Sequence, residues 1–353
     1  MHRILIIAPN WIGDAVMTQP LLASLKSQYP ESSIDVLAST WVAPIYRACS
    51  DVHQVIEAKF EHKQLQWGLR KQLAKELSIK KYQACFVLPN SFKSALIPWL
   101  ANIPFRVGYR GEFRIGLINL SLDNPSKINR PPMVEHYLAL SQILSDERIS
   151  SPLQNITPKL NISNAAKQSV EAKLSAAKID PTSIYILCPG AEYGATKRWP
   201  TGYFADLAQR LIASDPNTQI ILLGSKADHV LAQEITSQAR QNGHIHNWCG
   251  DTSLDEAITL ISESKAVVSN DSGLMHIAAA LKTPQVAIFG SSDPAHTPPL
   301  SDKAKVIWLN LPCSPCHKKI CPLGHLNCLN DILPEQVFAT LSTLQPSTKN
   351  SEL

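Results

Sequence analysis

The chain has 353 residues, enough for about two domains of ~100–200 residues each. Apolar residues make up 44% and charged residues 18%, a globular composition that excludes a disordered or fibrous chain. The net charge of +4 is too small to indicate nucleic-acid binding. Residues 1–165, however, carry 18 Lys and Arg against 12 Asp and Glu. This excess of positive charge would favour an anionic partner, or it reflects scattered surface charge.

Apolar strands alternate with amphipathic helices in both halves of the chain. In the first half we predict strands over 3–8, 33–38 and 84–88, and helices over 15–28, 64–77 and 134–144. In the second half we predict strands over 183–187, 219–223, 266–269, 285–289 and 305–309, and helices over 202–213, 229–241, 254–263, 273–281 and 334–344. This alternation predicts an α/β fold with two doubly wound parallel sheets and a ligand cleft at the carboxyl ends of their strands.

Prolines interrupt the pattern between the two halves and place the domain boundary near 155–180. We therefore predict a first Rossmann-like domain over 1–165, a second over 166–335, and a terminal helix and tail over 336–353. No run approaches the ~18–20 apolar residues of a membrane span, and the N-terminus does not resemble a signal peptide. We expect a soluble, cytoplasmic protein.

Gly13 and Asp14 lie at the turn from the first strand into the first helix, which faces the ligand crevice in an open α/β sheet. Gly13 would allow a ligand to approach the backbone closely. Asp14 has two compatible interpretations: an N-cap, or a general base whose ionised form the helix dipole favours. The pattern is not Gly-x-Gly-x-x-Gly, which weakens a nicotinamide or flavin interpretation.

Thr196 and Lys197 come just before a helix that begins near Pro200. Backbone N–H groups at a helix start, together with a lysine ammonium, form a good phosphate site. The alternative is a solvated loop in which Trp199 packs on the domain.

The segment Asn270–His276 follows another predicted strand. Asp271 or Ser272 could cap the next helix, and the free N–H groups at Ser272 and Gly273 would bind a pyrophosphate. His276 lies one turn inside this helix on the same face as Ser272. A histidine there is more often a packing residue, but its place above an anion-binding cap makes it a candidate ligand.

Several segments together resemble a known family; they are residues 9–14, 88–95, 108–111, 189–192, 197–200 and 270–276. By these segments the chain resembles the ADP-heptose:lipopolysaccharide heptosyltransferases, glycosyltransferase family 9, from residue 3 to about residue 310. Within the family it is more similar to the enzymes that add the second heptose than to those that add the first.

The resemblance implies a GT-B fold, two Rossmann-like domains facing across a cleft, with the acceptor in the first domain and ADP-heptose in the second. It implies transfer of heptose to the first heptose of the inner core (heptosyl-Kdo2-lipid A), with inversion at the anomeric carbon. Asp14 matches the family's proposed base, and Lys197 matches a residue that stabilises the leaving diphosphate. Where the family has a ribose-binding acid, after Gly224, this chain has Lys226 and then Asp228. The implied donor-binding residues are Gly13, Thr196, Lys197, Asp271, Ser272, Gly273 and His276.

The same resemblance sets the expected cofactors and partners. A leaving ADP gains negative charge that helix N-termini and a lysine can stabilise without a metal, and the chain has no Asp-x-Asp pair, so no cofactor should be required. The acceptor is an anionic glycolipid, and we expect Lys93, Arg106, Arg110 and Arg114 to bind its phosphates and carboxylates; a solvated basic face is the alternative. We also expect a monomer in peripheral contact with the cytoplasmic face of the bacterial inner membrane, and no nucleic-acid partner.

Eight cysteines fall into two groups. Cys313, Cys316, Cys321 and Cys328 have a spacing that a structural zinc could use. Reduced packing thiols are an alternative, and so is a redox-labile disulfide pair, although a reducing cytoplasm disfavours disulfides. We predict the other four to be small buried apolar residues; they are Cys49, Cys85, Cys188 and Cys249.

Other functions stay open at this point. A related GT-B enzyme could use another sugar nucleotide or another acceptor, including the heptose-free acceptor of the first transfer. A non-catalytic protein that binds a sugar nucleotide or glycolipid would not require the carboxylate of Asp14. Nucleic-acid binding is disfavoured, because no motif accompanies the charge and the pI near 8.5 is below the ~9 typical of such domains.

Overall fold

The computed structural model of the protein describes residues 1–61, 64–126, 130–144, 157–240 and 242–344. The chain divides into two compact units, Met1–Asn161 and Ile162–Leu353. The boundary therefore lies four residues before the predicted one. The terminal helix, Pro334–Ser342, belongs to the second unit, where Glu335 pairs with Arg210 (2.6 Å). Residues 345–353 of the predicted tail lie outside the described residues.

A parallel sheet forms the centre of the first unit, with strand order β3-β2-β1-β4-β5-β6. Its central strand β1 is apolar and buried on both faces, as expected for a parallel sheet covered by helices. The strands are β1 (Arg3–Ile7), β2 (Ser33–Ser39), β3 (Gln54–Ala58), β4 (Ala84–Val87), β5 (Phe105–Tyr109) and β6 (Leu120–Leu122).

Helices connect most of these strands. A 3₁₀ segment, Leu140–Leu144, directly follows the last helix of the unit. We predicted one helix over 15–28, but the structure has two helices that meet at Thr18. Pro20 has no backbone N–H to donate, and the Thr18 hydroxyl donates to the Ala15 carbonyl (2.7 Å) at the end of the first helix. The helices are α1 (Ile12–Met17), α2 (Gln19–Gln28), α3 (Ala43–Arg47), α4 (Trp67–Ile79), α5 (Phe92–Leu100) and α6 (Met133–Ala139).

The second unit repeats this plan, because its parallel sheet has the strand order β12-β11-β10-β7-β8-β9. Counted from the first strand of each unit, both sheets follow the order 3-2-1-4-5-6 of the doubly wound dinucleotide-binding fold. The two predicted Rossmann-like sheets are thus confirmed. The strands are β7 (Ile184–Cys188), β8 (Gln219–Leu222), β9 (Ile245–Asn247), β10 (Ala266–Asn270), β11 (Gln285–Phe289) and β12 (Ala304–Trp308).

The helices of the second unit pack on the two faces of this sheet. Trp199 and Phe204 are among the largest fully buried side chains and anchor its core. The helices are α7 (Asn164–Ala177), α8 (Thr201–Ser214), α9 (His229–Gln238), α10 (Leu254–Glu263), α11 (Gly273–Ala280), α12 (Asn327–Asn330) and α13 (Pro334–Ser342). Short 3₁₀ turns lie at Pro181–Ser183, Ala195–Lys197, Lys226–Asp228 and Asn242–His244.

The fold confirms one prediction about burial. The four scattered cysteines are buried, as predicted; they are Cys49, Cys85, Cys188 and Cys249. Among the residues that the structure describes, no helix combines the length and the apolar character needed to cross a membrane.

Candidate active site

Asp14 lies in the first turn of α1, just beyond the carboxyl end of β1. Its predicted N-cap role is wrong. Trp11 occupies the N-cap position with an extended backbone, because the chain enters the helix three residues earlier than predicted. The carboxylate of Asp14 is partly exposed and lies close to Tyr137 in α6.

Aromatic side chains fix the surroundings of this carboxylate. Burial raises the pKa of Tyr137 well above its usual value, and the charge of Asp14 raises it further, so Tyr137 stays protonated at neutral pH. The Tyr109 ring, at the end of β5, stacks on His136 with ring centroids 3.8 Å apart. Its hydroxyl also donates to the His136 carbonyl (2.6 Å). These contacts hold α6, and with it Tyr137, at the carboxyl edge of the first sheet.

Two of the four predicted acceptor-binding residues have structural roles instead. Arg114 is only 2% exposed, and its guanidinium donates to the carbonyls of Pro89 (2.6 Å) and Tyr109 (3.0 Å). Arg106 donates to three carbonyls within residues 103–117. Because these donors already have backbone partners, Arg106 and Arg114 are poor candidates for contacts with an acceptor.

The other two predicted acceptor-binding residues are more accessible. The Lys93 ammonium donates to the Gln64 carbonyl at 3.2 Å, at the surface of the domain. The Arg110 side chain is 71% exposed and pairs with the equally exposed Asp123 at 2.8 Å. Exposed pairs of this kind contribute ~0–1 kcal/mol, so an anionic ligand could replace the carboxylate at little cost.

Lys197 and Asp271 meet in the second unit, although 74 residues separate them. Lys197 ends a 3₁₀ turn after β7, and Asp271 follows β10, the strand paired with β7. The Lys197 ammonium lies 2.5 Å from Asp271 Oδ2, and the Ser292 hydroxyl donates to the same oxygen at 2.5 Å. The structure thus brings together two of the predicted donor-site residues at the carboxyl edge of the second sheet.

The N-terminus of α11 lies beside this ion pair. Ser272 is its N-cap, but the Ser272 side chain makes no capping hydrogen bond, so the first backbone N–H groups of the helix remain available to an anion. His276, one turn further, is 5% exposed, and burial lowers its pKa to about 4. It is therefore neutral at pH 7 and offers one donor and one acceptor. Gly273 supplies the first residue of the helix, with no side chain over its N–H group.

The side chain of Thr196 has structural partners, which leaves the predicted backbone contact as a prediction. Its side chain is buried, donates to the Lys318 carbonyl and accepts from the Ser291 hydroxyl (3.1 Å). The hydroxyl is therefore unavailable to a ligand. Only the backbone of Thr196 remains a candidate contact.

Sequence reasoning missed Asn270, which organises the loop that carries Lys197. Its fully buried amide donates to the Pro189 carbonyl (2.8 Å) and accepts from the Trp199 backbone N–H (3.0 Å). Trp199 itself is buried and donates to the Ile332 carbonyl (2.8 Å), so the predicted alternative of a packed tryptophan is confirmed. A polar residue at the end of a buried strand was the available signal for Asn270.

Asp228, near the position of the family's ribose-binding acid, is a capping residue. Its carboxylate accepts from the Ser225 backbone N–H (2.9 Å) and hydroxyl (2.7 Å). It also lies against Gly190, where an added Cβ would be 2.4 Å from the carboxylate. Gly190 thereby lets the turns after β7 and β8 close together over Asp228.

The clustered cysteines lie near one another, with Cys328 buried and the others partly exposed. Burial first, and then the charges of Cys313, Cys316 and Cys321, raise the pKa of Cys328 to about 11. Hydrogen bonds from backbone N–H groups, chiefly that of Leu326, lower the pKa of Cys321. No three His, Cys, Asp or Glu groups in the described part of the chain are arranged to hold a metal ion. The geometry gives no support to a structural zinc at these cysteines, which stays a prediction.

Known proteins resemble this chain over almost its whole length. The model of glycosyltransferase family 9 (heptosyltransferase) matches residues 70–327. Lipopolysaccharide heptosyltransferase 2 of Salmonella typhimurium is 41% identical over 348 residues, which cover 97% of this chain and 98% of that protein. Its Escherichia coli K12 counterpart is 40% identical over 346 residues, with the same coverage. The solved structure of the E. coli ADP-heptose LPS heptosyltransferase II matches this chain with a TM-score of 0.83 at 39% identity, and the match covers 97% of this chain and 98% of that chain. This match confirms the predicted GT-B fold class.

Proposed function

The chain belongs to glycosyltransferase family 9, the heptosyltransferase family, and we propose that it transfers heptose from ADP-heptose to the first heptose of the lipopolysaccharide inner core. The observation that carries the proposal is the pairing of Lys197 with Asp271 beside the uncapped N-terminus of α11. Such a site suits a diphosphate leaving group. The names of the relatives supply the heptose donor and the lipopolysaccharide acceptor.

On the donor side, we assign charge stabilisation to Lys197 and the α11 N-terminus. As the bond from the anomeric carbon to the diphosphate breaks, negative charge grows on the leaving oxygen, and preorganised donors lower the energy of that state. Asp271 holds the Lys197 ammonium in place, and Ser292 holds Asp271. Neutral His276 can hydrogen bond to the donor without adding charge.

On the acceptor side, we assign the general base to Asp14. It would accept the proton of the acceptor hydroxyl while that oxygen attacks the anomeric carbon, so the configuration inverts in one displacement. We infer that Tyr137, which lies close to this carboxylate, donates to it and orients it, and we assign Tyr137 as a positioning residue. Lys93 and Arg110 are the remaining candidates for contacts with acceptor phosphates.

We also propose that the first domain touches the cytoplasmic face of the inner membrane, where a lipid-anchored acceptor would lie. Phe113 and Ile115, in the segment between β5 and β6, are 95% and 100% exposed, beside Arg110. Wild type should sediment with phosphatidylethanolamine–phosphatidylglycerol vesicles, and the double variant Phe113→Ser/Ile115→Ser should not. Ile79→Ser removes a 74% exposed side chain from α4 and is the control. Equal sedimentation of all variants would refute this contact. Size-exclusion chromatography should show the predicted monomer.

The test of the transfer uses ADP-heptose with acceptors that carry zero, one or two heptoses. We expect product only with the one-heptose acceptor. Asp14→Asn should abolish it at unchanged donor affinity, and Tyr137→Phe should reduce it. Asp302→Asn, an exposed aspartate of the second domain, is the matched control.

The outcomes separate the alternatives. Product from the heptose-free acceptor would make the chain a first-heptose enzyme. Product from none of the acceptors would contradict the proposed substrates, and a screen of sugar nucleotides would follow. Full activity of Asp14→Asn would remove the base assignment.

A further inference from the structure

The segment that holds the clustered cysteines, residues 313–328 (here the cysteine segment), packs directly on the loop that carries Lys197. The Tyr193 hydroxyl donates to the His317 carbonyl (2.8 Å), and the Thr196 hydroxyl donates to the Lys318 carbonyl. A Cβ added to Gly194 would lie 2.8 Å from the Lys319 carbonyl oxygen, so the two backbones are in close contact. The cysteine segment is thus a wall of the candidate donor site.

The cysteine segment is also tied to the loop after β11. The Ser314 hydroxyl donates to the Gly290 carbonyl (2.6 Å), and the His317 backbone N–H donates to the Ser291 carbonyl (2.8 Å). The next residue in that loop, Ser292, is the one that donates to Asp271. Two separate loops of the site therefore fix the position of the cysteine segment.

The cysteine segment also places a second cation against the aromatic ring that Lys197 contacts. The ammonium of Lys197 lies 5.2 Å from the centroid of the Tyr193 ring, and the ammonium of Lys319 lies 5.5 Å from the same centroid. Both distances are within the range of cation–π attraction. The Tyr193 ring therefore contacts both cations, one from the loop after β7 and one from the cysteine segment.

The two lysines differ in their charge balance. The Asp271 carboxylate, 2.5 Å away, compensates Lys197. Within the part of the chain that the structure describes, no carboxylate pairs with Lys319, whose side chain is exposed. Lys319 is thus a positive charge beside the Tyr193 ring that no carboxylate of the described residues compensates.

We propose that Lys319 is a second cationic contact for the diphosphate of the donor, presented by the cysteine segment, an inference that rests on the proposed function. A diphosphate held at the α11 N-terminus and Lys197 has more negative charge than the Lys197–Asp271 pair can balance. Lys319 supplies the missing charge. Its contribution should grow as the leaving group gains charge, so Lys319 should affect turnover as well as binding.

The test is the affinity of ADP, AMP and adenosine, measured by titration calorimetry at fixed ionic strength. Lys319→Met should weaken ADP binding about threefold to tenfold, as expected for one partly solvated charge contact. It should weaken AMP binding less and leave adenosine binding unchanged. The salt dependence of ADP binding should also become shallower, which a purely structural change would not produce. Lys319→Arg, which keeps the charge, should retain most of the affinity.

The matched control is Lys318→Met, which removes the same charge one residue away and leaves the carbonyl that accepts from Thr196. Equal ADP affinity of Lys319→Met and wild type would overturn the inference while leaving the proposed function intact. An equal loss in Lys318→Met would also overturn it, since the effect would then be a general one of surface charge. Absence of ADP binding by wild type would instead contradict the proposed donor, and the inference with it.

Discussion

Removal of the Lys197 charge should destabilise the second domain and weaken donor binding for separate reasons. Asp271 is 5% exposed, and the Lys197 ammonium is its charged partner at 2.5 Å. Lys197→Met leaves a buried carboxylate without a cation, and breaking a buried pair in this way costs about 3–5 kcal/mol. We therefore expect the free energy of unfolding to fall by about that amount at pH 7.

A double variant separates the structural effect from the functional one. Lys197→Met/Asp271→Asn removes both charges and keeps an oxygen that can accept from Ser292, so most of the lost stability should return. Transfer activity and ADP affinity should stay low, because the cation is still absent. The measurements are urea denaturation followed by circular dichroism, and calorimetric titration with ADP.

A second ion pair of the same domain provides the control. Lys265 and Asp215 lie 3.3 Å apart, with side chains 38% and 41% exposed. Lys265→Met should cost ~0–1 kcal/mol, since solvent screens the pair. The reasoning is refuted if Lys197→Met is no less stable than Lys265→Met, or if the double variant is as unstable as the single one.

Two further predictions concern titratable groups of the second domain. Burial alone would raise the pKa of Glu256, but hydrogen bonds, first that from Lys173, lower it to about 2, below its usual value near 4.5. The stabilisation by ionised Glu256 is therefore complete above about pH 4.5 and disappears as the pH falls toward 2. Glu256→Gln should lower the free energy of unfolding by about 2–3 kcal/mol at pH 7. In urea denaturation, the difference in stability between this variant and wild type should shrink between pH 4.5 and 2. Among the clustered cysteines, the pKa of Cys321 is lowered and the pKa of Cys328 is raised to about 11. At pH 7 iodoacetamide should therefore modify Cys321 much faster than Cys328, which mass spectrometry can measure. If both cysteines are equally protected and a chelator removes the protection, the result would instead support a bound zinc.

The sequence predicted the central strands well and the outer ones poorly. Strands β1, β4 and β7 are short apolar runs that are buried on both faces, and their length and composition identify them as strands. Strands β3, β6 and β9 are short and only partly buried, so their apolar signal is weak. These three strands and β5 were missed. Helix boundaries were also less accurate, because they depend on particular residues such as Pro20.

The candidate site was predictable as far as strand ends determine it. Lys197 and Asp271 follow β7 and β10, and the carboxyl ends of paired parallel strands must lie side by side. Tyr137 and Lys319 come from segments without a recognisable motif, and only tertiary packing brings them to the site. For Arg114 the sequence suggested a ligand contact, because the residue lies in a basic segment. In the structure it is a buried donor to backbone carbonyls.

The double hydrogen bond of Asn270 has a consequence for how this enzyme could diversify. One amide fastens both ends of the loop 189–199, at Pro189 and Trp199, to the end of a rigid strand. Between these two anchors, the exposed residues Glu192 and Ala195 can change without displacing the ends of the loop, whereas Tyr193 and Gly194 are fixed by their contacts with the cysteine segment. A library that varies Glu192 and Ala195 and keeps Asn270 fixed should therefore yield folded variants, whereas a library that varies Asn270 should yield few folded proteins.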